Sequence, residues 1–403
     1  MTYEESIDWL FSTQTFGIKL GLENPTRLLR EFLAFPPHTT KVIQVVGTNG
    51  KGSTCAFIDS LARAAGIRTG LFTSPHLVSY RERIRVSSQM IAEEDVARHL
   101  SELRELVAGW EHHPTFFELT LALAMKHFRE RECELLILEA GMGGRYDATT
   151  AVPSDASVVT AIDLDHTQWL GDTLDKIAAE KAAVFREGKP AFSLPQAPEA
   201  ERIIKQVANE TRAPLEIVEE PLRGYALGLP GPHQASNAAL ALAALHSLGC
   251  RLNFDTVQYG LSSVRHAGRF EVIRGERTLI LDIAHNPHAI RGLVETLKGE
   301  LPGRKPVLIF GVCHSKDIGQ MLSQLAPTVG RAHFVPINSP RSMDPADLGN
   351  LFEGKDGMVT HGSLAEALEA TRNDAEVLVC GSAFLVGEAK ALLEAKEHRS
   401  SDQ

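Results

Sequence analysis

A glycine-rich loop between an apolar run and a helical pattern constrains the fold more than any other stretch of this chain. The run from Val42 to Val46 leads into Gly47-Thr-Asn-Gly-Lys-Gly-Ser53, and an apolar periodicity follows from Thr54 to Ala65. A strand, a glycine turn and a helix in this order place backbone N–H groups and a helix N-terminus around a phosphate chain. The loop therefore predicts a nucleotide site in an α/β domain, with an ordinary glycine-rich turn as the alternative.

The residue types in the loop assign it specific roles. Lys51 would reach the terminal phosphates, and the Ser53 hydroxyl would reach a magnesium ion. The usual P-loop spacing is G-x-x-x-x-G-K-[ST], and here one extra glycine, Gly52, separates the lysine from the serine. We expect the remaining nucleotide contacts to come from Thr48, Asn49, Gly50 and Gly52.

Composition limits the class of partner. The 403 residues carry a net charge of −10, with a pI of about 5.9, so no broad basic surface indicates nucleic acid binding. The five cysteines are scattered without a C-x-x-C pair, which is typical of a reducing cytoplasm. The first residues lack a signal-peptide pattern, and no apolar run approaches the ~18 residues of a membrane helix. We expect a cytoplasmic protein, monomeric by default, with small-molecule partners and no membrane partner.

Apolar strands alternate with helical patterns along the chain, which favours a parallel sheet covered on both faces. The strand patterns of the first part end near Thr73, Glu139 and Ile162. A fresh set of strand–helix units begins after Glu271–Arg277, with strand patterns at 278–281, 305–310, 332–337 and 376–379. We therefore predict a P-loop parallel-sheet ATPase domain over residues 1–272 and a smaller Rossmann-like α/β domain over residues 273–403.

Polar residues follow several of these strands, where ligands collect in parallel α/β sheets. Ser74, Glu139 and His166 each lie at or just after the carboxyl end of a strand pattern. Magnesium prefers oxygen ligands, so Ser53 and Glu139 are candidates to hold one ion. A surface acid at the end of a strand is the alternative for Glu139, and a hydrogen-bonded loop histidine is the alternative for His166.

A set of motifs in a fixed order identifies the family. These motifs are Gly47-Thr-Asn-Gly-Lys-Gly-Ser53, Thr73-Ser-Pro-His-Leu77, Leu138-Glu-Ala-Gly-Met-Gly-Gly-Arg-Tyr-Asp-Ala-Thr149, Leu164-Asp-His166, Leu170-Gly-Asp-Thr173, Glu180-Lys-Ala182 and Asp282-Ile-Ala-His-Asn-Pro-His288. Each motif alone is weak, but the ordered set resembles the folylpolyglutamate synthase/dihydrofolate synthase family of the muramyl-ligase superfamily. The resemblance extends from Phe16-Gly-Ile-Lys-Leu-Gly-Leu-Glu23 to Gly381-Ser382.

The resemblance implies a ligase reaction. ATP would phosphorylate a carboxylate of dihydropteroate or a folate, and the amine of L-glutamate would attack the acyl phosphate to give an amide. Closure of two domains would deliver the amine and exclude water. Two alternatives remain at this point, namely another amino-acid ligase of the superfamily with a different acceptor, and a P-loop switch without catalysis. The switch leaves Ser74, Glu139, His166 and Lys181 without a role.

The resemblance also implies a set of metal ligands. Ser53, Ser74 and Glu139 would hold one magnesium ion, and His166 would belong to a second metal site. In the family, the lysine of Glu-Lys-Ala is carbamylated by carbon dioxide and becomes an anionic oxygen ligand, which assigns that role to Lys181. Considered without the family, Lys181 is a solvated helix lysine.

Further contacts are carried over by position from the family. Asn237 would read the adenine, Arg269 would meet phosphate or base, and Asp282 would contact the ribose side. Arg269 taken alone is equally an interdomain salt-bridge partner. His285 is a candidate catalytic residue and Ser382 a candidate substrate contact, both on the side of the incoming glutamate or the acyl phosphate. Lys316 and Asp317 also match the family.

The pterin side rests on Phe116, Phe117 and Asp147, which match family positions near the pterin. Asp147 would bind the donor edge of the pterin through both carboxylate oxygens. Aromatic residues in an apolar helix are more often core, which is the alternative for Phe116 and Phe117. The chain departs from the family at Thr150, where the family usually has asparagine.

Overall fold

The first part of the chain forms an eight-stranded sheet with the strand before the glycine loop near its centre. The computed structural model describes residues 1–16, 21–314, 317–353 and 357–395. The strands are β1 (Lys41–Val46), β2 (Thr69–Phe72), β3 (Ile84–Val86), β4 (Gln89–Met90), β5 (Leu135–Glu139), β6 (Ala156–Val159), β7 (Ala191–Ser193) and β8 (Leu215–Ile217). Their order is β4-β3-β2-β5-β1-β6-β7-β8. All neighbours from β2 to β8 pair in parallel, and β3 and β4 add an antiparallel edge.

Helices cover both faces of this sheet. They are α1 (Tyr3–Ser12), α2 (Glu23–Glu31), α3 (Lys51–Ala64), α4 (Glu93–Val107), α5 (Phe116–Glu130), α6 (Thr167–Leu170), α7 (Leu174–Ala182), α8 (Pro198–Thr211), α9 (His233–Ser247) and α10 (Phe254–Ser263). Successive side chains of β1 enter different cores, with Val42 in the cluster built on α4 and α5, and Ile43 in the cluster built on α3 and α9. Burial on both faces explains why the strands are continuous apolar runs.

The second part of the chain forms a six-stranded sheet. Its strands are β9 (Glu271–Arg274), β10 (Thr278–Asp282), β11 (Val307–Phe310), β12 (Ala332–Phe334), β13 (Met358–Thr360) and β14 (Glu376–Cys380), in the order β13-β12-β11-β14-β10-β9. Its helices are α11 (Pro287–Glu300), α12 (Ile318–Leu325), α13 (Pro345–Leu351), α14 (Leu364–Ala370) and α15 (Ala383–Glu394). Only β9 is antiparallel among the pairs of this sheet. The predicted α/β architecture with a second, smaller sheet is confirmed.

Two element ends differ from the sequence prediction for a physical reason. The helix α3 begins at Lys51 rather than Thr54, because Gly50 has a φ of 91° and turns the chain directly into the helix. The strand β6 ends at Val159, because Ala161 leaves the sheet and its carbonyl accepts the Thr48 N–H at 2.8 Å. Both differences come from the glycine loop, which is tied to neighbouring segments.

Some sequence predictions fall outside the described residues. Lys316 and residues 17–20 of the family segment Phe16–Glu23 are in this group. Within the described residues, no helix combines the length and the apolar character needed to span a bilayer.

Candidate active site

The glycine loop follows β1 and has a backbone that side chains would disturb. Gly47 has a φ of 149°, and a Cβ added there would lie 1.9 Å from Thr160 Oγ1. The Thr48 hydroxyl donates to the Asp163 carbonyl at 3.0 Å and accepts from the Asp163 N–H at 3.1 Å. The loop is therefore held in one shape by the segment that follows β6.

The extra glycine in the loop has a structural reason. A Cβ added at Gly52 would lie 2.6 Å from His266 Nε2 and 3.5 Å from Glu139 Oε1. Gly52 thus makes room for the ring of His266 and lets the Glu139 carboxylate lie against the start of α3. The sequence alone does not predict this contact of His266, because no local motif links it to a loop more than two hundred residues earlier.

Two lysines converge on one backbone carbonyl of the loop. Lys51 Nζ donates to the Gly47 oxygen at 3.0 Å, and Lys181 Nζ donates to the same oxygen at 2.8 Å. Lys181 is only 3% exposed. Burial, and then the positive charge of Lys51, lower the pKa of Lys181 to about 7. The interpretation of Lys181 as a solvated surface lysine is therefore wrong.

Glu139 and Ser74 lie at the carboxyl ends of the neighbouring strands β5 and β2. Glu139 is 2% exposed, and its Oε2 accepts the Ser74 N–H at 3.1 Å. Burial raises the pKa of Glu139, and the charge of Lys51 opposes that shift. A surface acid is thus excluded, and Glu139 lines a cavity of about 510 Å³ together with Gly52, Ser74 and Arg269.

The segment after β6 brings an acid and two histidines together. His166 has a φ of 49°, and its side chain is 52% exposed. Asp165 lies between two rings, with His166 Nε2 and His285 Nε2 each 3.9 Å from its carboxylate. Burial would raise the pKa of Asp165, but the charges of His166, His285 and Lys51 together hold it below its ordinary value. Asp165 belongs to the motif Leu164-Asp-His166, but the sequence alone does not indicate a role for it.

The second sheet contacts the loop directly through a pair of asparagines. Asn49 Nδ2 donates to Asn286 Oδ1 at 3.2 Å, and Asn286 Nδ2 donates to Asn49 Oδ1 at 3.1 Å. Asn286 also caps α11 by accepting the Ala289 N–H. His285, just before it, is the residue that faces Asp165. The motif Asp282–His288 thus brings the second sheet to the glycine loop, with Asn286 as a contact that the sequence did not single out.

The helix α9 packs two amides against the loop. Asn237 is 3% exposed and donates to Gln234 Oε1 at 3.0 Å. Gln234 in turn donates to Ser53 Oγ at 3.4 Å. A Cβ added at Gly50 would lie 2.8 Å from Asn237 Oδ1. The spacing of three residues places both amides on one helical face, which is a signal that could have identified Gln234.

The junction between the sheets holds Arg269 and Asp282. Both oxygens of Asp282 accept backbone N–H groups, from Phe270 and Ala284, each at 2.8 Å. Asp282 is the last residue of β10, and these two hydrogen bonds hold the backbone at the junction between the sheets. The buried Nε of Arg269 has no hydrogen-bond partner among the described residues. The charge of Arg269 opposes the rise that burial causes in the pKa of Asp282 and of Glu139. Its predicted contact with phosphate or base stays a prediction.

Phe116 is packed into the core, and its predicted pterin contact stays a prediction. Its side chain is 0% exposed and packs edge-on against Phe11 and Tyr80, with the Arg83 guanidinium 5.1 Å from its ring. Phe117 is half-buried and lies against Gly141, where an added Cβ would come within 2.9 Å of its ring. The core alternative holds for Phe116, and Phe117 is the ring that remains near the loop.

Asp147 is occupied by its own loop. Its Oδ2 accepts the N–H groups of Gly141 and Met142 at 2.8 and 3.0 Å, and its Oδ1 accepts the N–H and hydroxyl of Thr149 at 3.0 and 2.5 Å. Both carboxylate oxygens therefore hold the loop, and the predicted contact of Asp147 with the pterin stays a prediction. Thr150 belongs to the same buried network, since its hydroxyl accepts from Gln44 at 2.7 Å and donates to the Gly144 carbonyl at 2.7 Å.

Ser382 has a local role in the structure. It is the N-cap of α15, and its hydroxyl accepts the Phe384 N–H at 3.1 Å. It lies directly after β14, the strand that pairs with β10, so it shares an edge of the second sheet with Asp282. Its predicted contact with substrate stays a prediction.

We expect Asp147→Ala to lower the free energy of unfolding by about 3 kcal/mol, because it leaves buried loop donors without an acceptor. It should then weaken catalysis with both folate acceptors about equally. Urea unfolding and parallel assays measure the two effects. Asp172→Ala removes a carboxylate that is 77% exposed and serves as the control. A loss confined to the dihydropteroate reaction, at unchanged stability, would restore direct pterin recognition.

Comparison with known proteins assigns the family. Models of the Mur ligase middle domain and of the Mur ligase glutamate ligase domain match residues 45–215 and 268–383. The dihydrofolate synthase/folylpolyglutamate synthase of Escherichia coli K12 is 34% identical to this chain, over 97% of this chain and 95% of that protein. The chain belongs to the folylpolyglutamate synthase/dihydrofolate synthase family. The family predicted from the ordered motifs is thus confirmed.

Solved structures of this family agree with the fold over nearly the whole chain. E. coli FolC in complex with DHPP and ADP has a TM-score of 0.86 at 33% identity, covering 97% of this chain and 98% of that chain. A bifunctional folylpolyglutamate synthase/dihydrofolate synthase with Mn, AMPPNP and L-glutamate bound has a TM-score of 0.85 at 32% identity, covering 96% and 98%. The protein is therefore an enzyme of the Mur ligase superfamily, and the non-catalytic switch is not favoured.

Proposed function

We propose that the protein joins L-glutamate to a carboxylate of dihydropteroate or a reduced folate at the expense of ATP, through an acyl phosphate. The observation that carries this proposal is the convergence at one sheet edge. The parallel strands β2, β5, β1 and β6 are neighbours, and they bring Ser74, Glu139, the glycine loop and His166 to the same side. Asn286 and His285 of the second sheet face that edge. Two substrates can thus be held on opposite walls of one cleft.

The residues at the loop fit a nucleotide and a divalent ion. Ser53 and Glu139 are both 2% exposed and offer oxygen atoms, the ligand type of magnesium. Arg269 supplies a cation whose buried Nε has no hydrogen-bond partner among the described residues, which suits an anionic phosphate. A divalent ion bound here neutralises phosphate charge. In this arrangement Ser53, Ser74 and Glu139 hold the ion, and Lys51 and the loop N–H groups orient the phosphates.

We assign Lys181 and His166 to a second metal site, with Lys181 as a carbamate. Carbon dioxide adds to a neutral amine, and a pKa of about 7 leaves about nine-tenths of Lys181 neutral at pH 8. At the same pH, the neutral fraction of an ordinary lysine would be below about one hundredth. Carbamylation would also place a negative charge beside the positive charge of Lys51. Electron density at the Lys181 Nζ of a crystal grown with bicarbonate tests this directly.

The remaining contacts are proposals from the family and the geometry. Asn237 is assigned to the adenine, and Asp282 to the ribose side through the lone pairs that its backbone contacts leave free. His285 and Ser382 are assigned to the glutamate or acyl-phosphate side. For the pterin we assign the half-buried ring of Phe117, with Asp147 shaping the loop beneath it.

The two walls of the cleft correspond to two proposed domains. The sequence places the boundary between residues 1–272, with the nucleotide and pterin sites, and residues 273–403, with the glutamate side. We move it to just before Glu271, because β9 (Glu271–Arg274) pairs with β10 in the second sheet. The acidic net charge of −10 supports small-molecule partners rather than nucleic acid. We propose a monomer, which light scattering of the purified protein tests.

The function is tested by supplying purified protein with ATP, magnesium and L-glutamate, and offering dihydropteroate and tetrahydrofolate separately. We expect phosphate release that requires both glutamate and one of these acceptors. Release with a cell-wall amino-acid acceptor instead would identify another ligase of the superfamily. Nucleotide binding without any glutamate-dependent turnover would support the switch.

We expect Glu139→Gln to raise the magnesium concentration needed for half-maximal activity by about tenfold or more, because an amide is a weaker ligand than a carboxylate. Initial rates over a magnesium titration measure the shift. Glu134→Gln, just before the other end of β5, is the control and should leave the magnesium requirement unchanged. An unchanged requirement in Glu139→Gln would remove it from the metal site.

A further inference from the structure

A cluster of metal-ligating side chains lies between α4 and α5, outside the glycine-loop site. Asp95 and His99 are four residues apart on α4, and His127 lies on α5. One ligand atom from each of these residues lies within 4.8 Å of those from the other two. Positions i and i+4 share one face of a helix, so α4 presents two ligands side by side to the third on α5.

Both imidazoles in this cluster have a buried nitrogen that is left unsatisfied. His99 is 0% exposed and His127 is 4% exposed. The Nδ1 atoms of both rings are buried and lack a hydrogen-bond partner among the described residues. His127 Nδ1 is 3.8 Å from Asp95 Oδ2, which is too long for a hydrogen bond. Buried polar atoms are rarely left unsatisfied in native proteins, so two at one place point to a group that binds them.

We propose that Asp95, His99 and His127 form a binding site for a first-row transition metal ion, Zn²⁺ in particular, that joins α4 to α5. Imidazole with carboxylate is a ligand set that suits zinc, copper and nickel, whereas magnesium prefers oxygen alone. Zinc–ligand bonds of ~2.0–2.1 Å place tetrahedral ligand atoms ~3.3–3.5 Å apart, so the cluster contracts slightly on binding. A water molecule completes the tetrahedron. Nothing in the ligase reaction requires this ion, and the site is separate from the proposed function.

The surroundings of the cluster are suited to orient these ligands. His99 Nε2 lies 3.3 Å from Arg98 Nη2 and 3.5 Å from Glu130 Oε2. Metal binding through the other nitrogen places the ring proton on Nε2, where Glu130 can accept it, while Arg98 Nη2 keeps its bonds to Asp95 and Glu130. Asp95 accepts from Arg98 at 2.9 Å and from Arg131 at 2.6 Å. Both guanidinium groups approach from the exposed side, with side chains 44% and 53% exposed. They fix the carboxylate and also moderate the affinity by opposing the charge of the ion.

The protonation state of the rings agrees with metal binding. Burial lowers the pKa of both His99 and His127, in the latter to about 4. Both rings are therefore neutral near pH 7, which is the form that binds a metal. The charged groups facing the cluster are Arg98, Arg131 and Lys126 against Asp95, Glu102 and Glu130, which leaves the ion without a large net repulsion.

The test uses the full-length protein stripped with a chelator and then held in excess magnesium, so that the glycine-loop site is saturated. Addition of CoCl₂ should give the visible absorption of four-coordinate cobalt, and one equivalent of ZnCl₂ should abolish it and raise the Tm. His127→Gln should weaken zinc binding by at least the ~10–100-fold that loss of an outer-shell partner costs. His246→Gln, an exposed histidine on α9, is the matched control and should bind as the wild type does.

Asp95→Asn keeps the shape of a partly exposed side chain and guards against misfolding of the histidine variant. It should also lose the cobalt spectrum while its folate-dependent turnover persists. His166→Ala should keep the spectrum, which separates this site from the active-site histidine. Absence of four-coordinate cobalt in the wild type, or its persistence in both Asp95→Asn and His127→Gln, would overturn the proposal. Because the readout is metal binding, its failure leaves the ligase assignment untouched.

Discussion

Lys51→Ala should lower kcat by about 10³-fold or more while the protein stays folded. Lys51 Nζ lies 3.0 Å from the Gly47 carbonyl and 3.1 Å from that of Thr48, so it stands inside the curve of the loop. A cation placed there stabilises the charge that develops on the transferred phosphoryl group, and removal of such a group typically costs 10²–10⁵-fold in rate. Steady-state turnover with saturating ATP, glutamate and acceptor measures the loss.

The control for this variant is Lys41→Ala. Lys41 begins the same strand at its other end, and its side chain is 50% exposed near Asp155. Its removal should leave kcat within about twofold, since surface substitutions away from a site have small effects. A near-normal kcat in Lys51→Ala would show that the glycine loop does not hold the reacting phosphates.

Lys181→Ala should lower turnover by about 10²-fold or more, and a small carboxylate should restore part of it. The substitution removes the carbamate oxygens that we assign to the second metal site, and it opens a space that acetate or propionate can enter. A small amine should not restore activity, because the carbamate is anionic. The rates in added acetate and in added methylamine, at constant ionic strength, measure the difference.

Rescue by methylamine rather than acetate would show that Lys181 acts as an ammonium group. Lys176→Ala is the matched control, because Lys176 lies on the same helix with a side chain that is 63% exposed. It should have normal turnover and no response to either additive. The lowered pKa of Lys181 also predicts a pH dependence. Removal of bicarbonate should inactivate the wild type less as the pH rises above about 7.

The parts of the fold that sequence predicted are those set by local pattern. The apolar strand before Gly47 and the acid at the end of β5 follow from short-range periodicity and burial on both faces of a parallel sheet. The edge on which the loop, Ser74, Glu139 and His166 meet follows from the rule for parallel sheets. These features need only the order of the elements along the chain.

The features that sequence missed depend on contacts between distant segments. The burial of Phe116 depends on Phe11 and Tyr80 packing around it. The need for glycine at position 52 depends on His266, which comes from the junction between the sheets. Neither of these contacts produces a periodic pattern in the sequence.

Asp147 and the cluster between α4 and α5 also depend on contacts that the sequence does not show. Asp147 matches a family position near the pterin, and the loop around it supplies four donors to its carboxylate. The cluster of Asp95, His99 and His127 becomes visible only when α4 and α5 are placed side by side. Residue type and spacing alone cannot tell an acid that holds its own loop from one that faces a ligand.

The side chains of Asn49 and Asn286 lie 237 positions apart in the chain and hydrogen-bond to each other in both directions. This contact links the glycine loop to the segment that follows β10 of the second sheet. If the second sheet moves away from the first, either these hydrogen bonds break or the glycine loop moves with the second sheet. The same region contains further contacts, from Asn286 Nδ2 to Asp165 Oδ2 at 3.4 Å and between Asn49 Nδ2 and His288 Nδ1 at 3.1 Å, so the position of the second sheet and the shape of the glycine loop are coupled here. A substitution of Asn286 should therefore change the affinity for nucleotide, although this residue is far from the glycine loop in the sequence.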